Sequence, residues 1–412
     1  MKTGRVIAAL VLVAGGAMAA RVAYTRHQHT VQAAAYAKAA ATRAPGFSEL
    51  AMRDEQIRVW KQALAADSLS AVAMTQLAAL YMQHARESGN YQDYITAEGL
   101  ARRSLARRTQ RNAPAAVTLV SILLAQHRFI EALDVAQELE TRESDIPQYR
   151  SLLGEVSMEV GDYATASQMF DSLLAEREHL SNAPRLSRWL ELNNHVPEAR
   201  RMLTEARDDA MSRFDVAKEQ KAWFNLRLGD LELRSDRPRA AEKAFRLGLS
   251  IEPNDPRLMA AMARLAAADN DNQAAIEWGE RAIAEQLDPA TLGIVGDAYA
   301  AIGDTAKSNE YFHTLEVAVT QQPGAYHRAW SLYLLDHNLR VNEVLGKAEE
   351  ELQQRKDIYG YDIVAWALHK AGREVEAGSM MKMALRLDTH DPLLARHQAA
   401  IKASLPLASA AQ

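Results

Sequence analysis

Cysteine is absent from all 412 residues. Without thiols there is no disulfide, no thiolate metal site, no cysteine nucleophile and no lipid-modified N-terminal cysteine. Aromatic residues are scarce, at 6%, whereas alanine and leucine abound, a balance that favours closely packed helices over a β-sandwich. A basic surplus is missing too. The formal net charge is -5, so composition gives no reason to expect nucleic acid as a partner. No P-loop, HExxH, GxSxG or GxGxxG pattern occurs, and the twelve histidines form no i, i+4 pair on one helical face. The expectation is a non-enzymatic chain with no cofactor and no metal. What is present, 48% apolar and 25% charged residues, is typical of a folded protein. The length implies two or three domains or one extended array.

The first twenty residues, MKTGRVIAALVLVAGGAMAA, read as an address. Lys2 and Arg5 precede an apolar run from Val6 to Ala14, and Gly15-Gly16 leads into Ala17-Met18-Ala19, an A-x-A cleavage pattern. The uncharged stretch between Arg5 and Arg21 is 15 residues, short of the roughly 20 that span a bilayer core. A snorkelling Arg21 would extend it, so residues 1–20 are a cleaved signal peptide or an uncleaved N-terminal membrane anchor. Either implies export, to the periplasm or cell envelope of a bacterium. An alanine-rich spacer, 21–46, follows, then a folded body over 47–404 and a frayed tail, 405–412.

The body repeats. Gly154, Gly229 and Gly296 each follow an apolar residue, and 16 residues later come Phe170, Phe245 and Phe312. Twelve residues after each glycine lies Ala166, Ala241 or Ser308, and the same slot continues at Ala97, Ala132, Ala199, Ala275, Val344 and Ala377. Successive spacings are 35, 34, 33, 42, 34, 33, 36 and 33 residues, a period near 34. The prolines respect it: Pro114, Pro147, Pro253, Pro256, Pro289, Pro323 and Pro392 are expected between units, and Pro184, Pro197 and Pro238 in first turns. Turn residues are expected at Gly161-Asp162, Asn194, Asp236, Asn270, Gly303-Asp304 and Gly372.

This pattern resembles the tetratricopeptide repeat family from about Leu69 to Pro392. The unit from Ala222 carries Leu228-Gly229, Ala241, Phe245, Gly248 and Pro253; the unit from Pro289 carries Val295-Gly296, Tyr299, Ser308 and Phe312. Departures occur at the bulky fourth position, where Asn225 and Leu292 stand. The resemblance implies an all-α, right-handed superhelical solenoid of antiparallel helix pairs, about nine units, closed by a capping helix over Asp391–Ser404. Small residues of the two helices are expected to face each other and let the backbones approach. Two units are irregular: an insertion around Arg86–Gln92 should lengthen a loop, and the stretch Arg207–Lys221 should lengthen a second helix.

On this resemblance the concave wall is lined by first-helix residues. Its middle is bland: Ala260, Ala267, Ala268, Ala290, Gly293, Ala300 and Ala301. The last two units offer Tyr326, Tyr333, Asp336 and His337, then Tyr359, Asp362, Trp366, His369 and Lys370. Aromatics with polar tips suit a recognition groove; the alternative is that Trp366 and some tyrosines pack between units. The segment Ala325–Leu385 is also similar to a C-terminal segment of exported bacterial tetratricopeptide proteins. In the first full unit Arg102, Arg103, Arg107, Arg108 and Arg111 form a basic run, either a solvated face or a contact for anionic lipid near the membrane address. The function expected is a protein-protein interaction scaffold of the bacterial cell envelope that binds a protein or peptide partner. An accessory role in exopolysaccharide assembly or export, and an unrecognised enzyme, are the alternatives.

Overall fold

The computed structural model describes residues 49–174, 182–321 and 327–405. The N-terminal address, the spacer, Pro323, Tyr326 and residues 406–412 lie outside them. Among the described residues there are twenty helices and no strand. A leading helix α1 (Glu49–Ala66) is followed by nine pairs: α2 (Ala71–Ser88) with α3 (Tyr91–Arg107), α4 (Ala113–Ala125) with α5 (Phe129–Arg142), and α6 (Pro147–Val160) with α7 (Tyr163–Leu174). Next come α8 (Ala183–Leu192) with α9 (Val196–Ser212), α10 (Lys218–Arg234) with α11 (Pro238–Ile251), and α12 (Pro256–Ala268) with α13 (Asn272–Glu285). The last three pairs are α14 (Pro289–Ala301) with α15 (Thr305–Gln321), α16 (His327–Asp336) with α17 (Val341–Gln354), and α18 (Ile358–Lys370) with α19 (Glu374–Ala384). Helix α20 (Pro392–Ser404) covers the last pair. No helix among the described residues is long and apolar enough to cross a membrane.

The repeat register is a burial register. All nine residues of the small slot, from Ala97 to Ala377, are buried, at most 3% exposed. The glycines of the repeat lie against phenylalanine rings. A Cβ on Gly154, Gly229 or Gly296 would strike the ring of Phe170, Phe245 or Phe312. The glycine therefore admits the phenylalanine of its own unit. The expected turn residues all adopt positive φ: Gly161, Asn194, Asp236, Asn270, Gly303 and Gly372. His127 and Asn338 do the same in two further units.

Three expectations need correction. Pro114, Pro147, Pro256, Pro289 and Pro392 do not lie between helices but open α4, α6, α12, α14 and α20, where their missing N–H has no intrahelical partner to lose. The insertion near Arg86–Gln92 lengthens α2 and α3, which are joined by only Gly89 and Asn90. The extra residues after Ala199 are divided: α9 ends at Ser212, and α10 begins early, at Lys218. Leu203, Ala206 and Ala210 bury the extended face of α9 against Phe224 and Leu228.

The array does not stay open. Residues just before α18 lie on the α6–α7 turn: Lys356 N donates to Val160 O at 2.9 Å, and Arg355 Nε donates to Glu159 O at 3.0 Å. Ile358 N donates to Tyr163 Oη at 2.9 Å. Arg386 donates to Lys356 O at 2.6 Å and stacks over Tyr163 at 4.7 Å. Thr389 Oγ1 donates to Leu192 O at 2.5 Å, and Asn194 Nδ2 donates to Asp388 Oδ2 at 3.1 Å. Beneath these bonds a single apolar cluster runs from Phe170 and Trp189 to Ile358 and Leu394. Units three and four are thereby clasped to unit nine.

Candidate functional site

The clasp borders an open cavity of about 760 Å³. One wall comes from successive first helices: Glu155 and Glu159 on α6, Arg185 and Arg188 on α8, Trp223, Arg227 and Arg234 on α10. Arg185 and Arg188 are three apart, and Trp223, Arg227 and Arg234 fall at i, i+4 and i+11, so each set shares one helix face. The other wall is Arg328 of α16, Arg355, Tyr359 of α18, and Asp391 ahead of α20. Six guanidiniums line one space.

Most of them are held. Glu191 accepts from Arg234 Nε at 2.5 Å and pairs with Arg188 Nη1 at 2.9 Å. Burial would raise the Glu191 pKa, but Arg188 and Arg234 outweigh it and hold the carboxyl at about 2. Burial opposes charge on Arg188 as well, yet Tyr359 and Glu191 hold its pKa above the ordinary value. Arg188 Nη2 donates to Tyr359 Oη at 2.7 Å, and that hydroxyl donates onward to Asp391 Oδ2 at 3.2 Å. Arg185 pairs with Glu155 at 2.5 Å, Arg355 with Glu159 at 3.2 Å and Asp357 at 2.5 Å, and Arg328 with Asp362 at 3.2 Å. Burial pushes the Glu159 carboxyl up, against the pull of Arg355. Arg227 differs. It has no hydrogen bond or ion pair among the described residues, and burial, then the charge of Arg234, push its pKa down.

Of the groove residues expected from sequence, Tyr359 lines this cavity. Asp362 and Trp366 face packing instead. Asp362 has no exposure and lies 2.7 Å from His397 Nδ1. Trp366 is 7% exposed, stacks on His397 at 4.2 Å and donates its indole N–H to Asp336 Oδ1 at 2.8 Å. The physical reason is that α18 belongs to the last unit. The face where a further first helix would pack is covered by α20, which carries His397. His369 stacks on Trp366 at 4.9 Å and holds Glu374 at 2.9 Å. Tyr333 sits among Phe312, Trp330 and His337, whose Nε2 is 3.0 Å from Asp297. Tyr326 lies outside the described residues.

In the basic run, Arg102 is tied to Glu98 at 2.7 Å and Glu131 at 2.9 Å, a network that Arg128 joins across α3 and α5. Arg103, Arg107 and Arg108 are exposed. The cavity arginines were not singled out in the sequence. Their signal is the recurrence of arginine on the inward face of consecutive first helices, at 185 and 188 and then at 227 and 234.

No family model matches the sequence, and no curated protein matches it. Solved structures align along much of its length. The crystal structure of the APC/C hetero-tetramer Cut9-Hcn1 aligns at 14% identity over 87% of this chain and 74% of that one, with TM-score 0.43. The human IFIT1 dimer with PPP-AAAA aligns at 13% identity over 83% and 96%, with TM-score 0.44. Pseudomonas aeruginosa pilF aligns at 16% identity over 65% of this chain and 93% of that one, with TM-score 0.33. The ground for the fold is internal: nine helix pairs whose buried small residues keep the register of the sequence repeat. The chain is an α-solenoid of consecutive packed helix pairs.

Proposed function

We propose that this chain is a non-enzymatic scaffold of the bacterial cell envelope, and that it holds a partner protein or peptide on its inner face, at the arginine-lined cavity. The observation that carries this reading is the cavity itself: successive first helices α8 and α10 turn arginine and tryptophan side chains toward Tyr359 of α18 across one space. Concavity and convergent polar groups beside apolar faces are what a binding site needs. The signal-like pattern of residues 1–20 supports the envelope setting. A second reading, an accessory in exopolysaccharide assembly that holds an acidic saccharide, is favoured by Trp223, whose ring borders the guanidiniums.

The test is photocrosslinking in cells from two positions. One reactive residue replaces Gln220, which lines the cavity; the other replaces Arg246, exposed on α11. A protein adduct from the cavity position and none from the outer one is the expected result. A polysaccharide adduct would favour the second reading, and adducts from the outer position alone would overturn both.

A further inference from the structure

The wall built by α8 and α10 has an unbalanced charge. Arg188 and Arg234 share one carboxylate, that of Glu191. Arg227 beside them has none: the nearest acid on its own helix, Asp230, is bonded to Arg264 at 2.7 Å. Three guanidiniums against one paired carboxylate leave a local surplus of two. With the facing wall counted, the six guanidiniums meet six carboxylates, Glu155, Glu159, Glu191, Asp357, Asp362 and Asp391, so the surplus is local to the α8–α10 wall. Asp357 and Asp391 accept the first backbone N–H groups of α18 and α20, and Glu155, Glu159 and Asp362 already hold Arg185, Arg355 and Arg328. Arg227 is partly exposed, so its guanidinium, with no acceptor among the described residues, is open to the cleft. It is also a preorganised fork of donors that matches an oxyanion.

We propose that the cavity binds a small, multiply charged oxyanion, a phosphate ester or paired carboxylates, with Arg227 as the principal donor and Arg188 and Arg234 beside it. This deepens the scaffold reading and rests on it for where the partner docks; it names the chemistry of the group that enters. The anion supplies Arg227 with its missing acceptor and neutralises the surplus on the α8–α10 wall. Tyr359 and Trp223 border the same space and limit what accompanies the charged group.

Calorimetric titration and thermal unfolding of the purified full chain at low ionic strength test this, with inorganic pyrophosphate and citrate as probes. At least one probe should bind with one-to-one stoichiometry and raise the unfolding midpoint. Arg227→Gln should weaken that binding at least tenfold, the loss of a charged hydrogen bond. Without anion its midpoint should equal or exceed that of the wild type, because an unpaired cation has been removed. Arg227→Lys keeps the charge but not the fork and should fall between. Arg246→Gln, on the outer face, should change nothing. Preference for pyrophosphate identifies a phosphate ligand, and preference for citrate a carboxylate one. Absence of binding by both probes, or equal binding by wild type and Arg227→Gln, would overturn the proposal. Anion binding without a cavity crosslink would remove the scaffold reading and leave this one standing; a cavity crosslink without anion binding would do the reverse.

Discussion

A glycine two helices wide is the smallest unit of this fold. At Gly229 a Cβ would lie 2.2 Å from Phe245, at Gly296 2.5 Å from Phe312, and at Gly154 2.9 Å from Phe170. Alanine in place of glycine gains about 1 kcal/mol of helix propensity, whereas overpacking costs about 1–3 kcal/mol. Phe245 has no exposure and cannot retreat. Gly229→Ala should therefore lower stability by up to about 2 kcal/mol, the upper end of the difference of those two effects, while Gly154→Ala should be close to neutral. Urea denaturation midpoints check this; equal shifts for the two variants would show that the glycine does not admit the ring. This layer was legible in sequence because each contact closes within one unit. Gly229, Ala241 and Phe245 lie within 16 residues of one another.

Between elements, ion pairs decide the spacing of the first helices. Glu191 on α8 reaches Arg234 on α10, and both Arg188 and Arg234 hold its carboxyl at about 2, against burial. In the unfolded chain the same group titrates near 4.5, so its folded pKa is depressed. Its contribution, on the order of 3 kcal/mol, is present above about pH 4.5 and is lost as pH falls toward 2. Glu159 acts with the opposite sign, because its folded pKa is raised. The clean measurement is the difference between wild type and Glu191→Gln. That gap should be about 3–5 kcal/mol at neutral pH, since the variant strands two buried guanidiniums, and should shrink between pH 4.5 and 2. A gap independent of pH would show that the pair does not stabilise the charged carboxyl. Helix ends were largely legible, through Asn194, Asp236, Asn270 and the glycines. For Trp366 the packing alternative holds, and Asp362 is buried beside it, because repeat position says which way a side chain points, not that α20 covers the last unit.

The whole molecule is where sequence reading stops. A 34-residue period fixes neighbours, but the clasp joins residues such as Glu159 and Arg355, 196 apart. No local pattern encodes that meeting; it follows from the accumulated rotation of every unit between them. The arginines of α8 and α10 could have been noticed as a row, yet their confinement with Arg328, Arg355 and Tyr359 exists only once the array closes. The complete absence of cysteine makes closure measurable. Asn194 and Asp388 touch at 3.1 Å, so Asn194→Cys with Asp388→Cys supplies the only two thiols in the chain. A short bismaleimide should join them within single native molecules and fail to do so in urea. Adding Gly161→Ala should suppress the link while leaving the helical circular dichroism intact. Gly161 has φ +82°, and a Cβ there would lie 2.2 Å from the Lys356 backbone. Prompt labelling of both thiols by a monomaleimide in the native protein, with no internal crosslink, would contradict the closed solenoid and the cavity that depends on it.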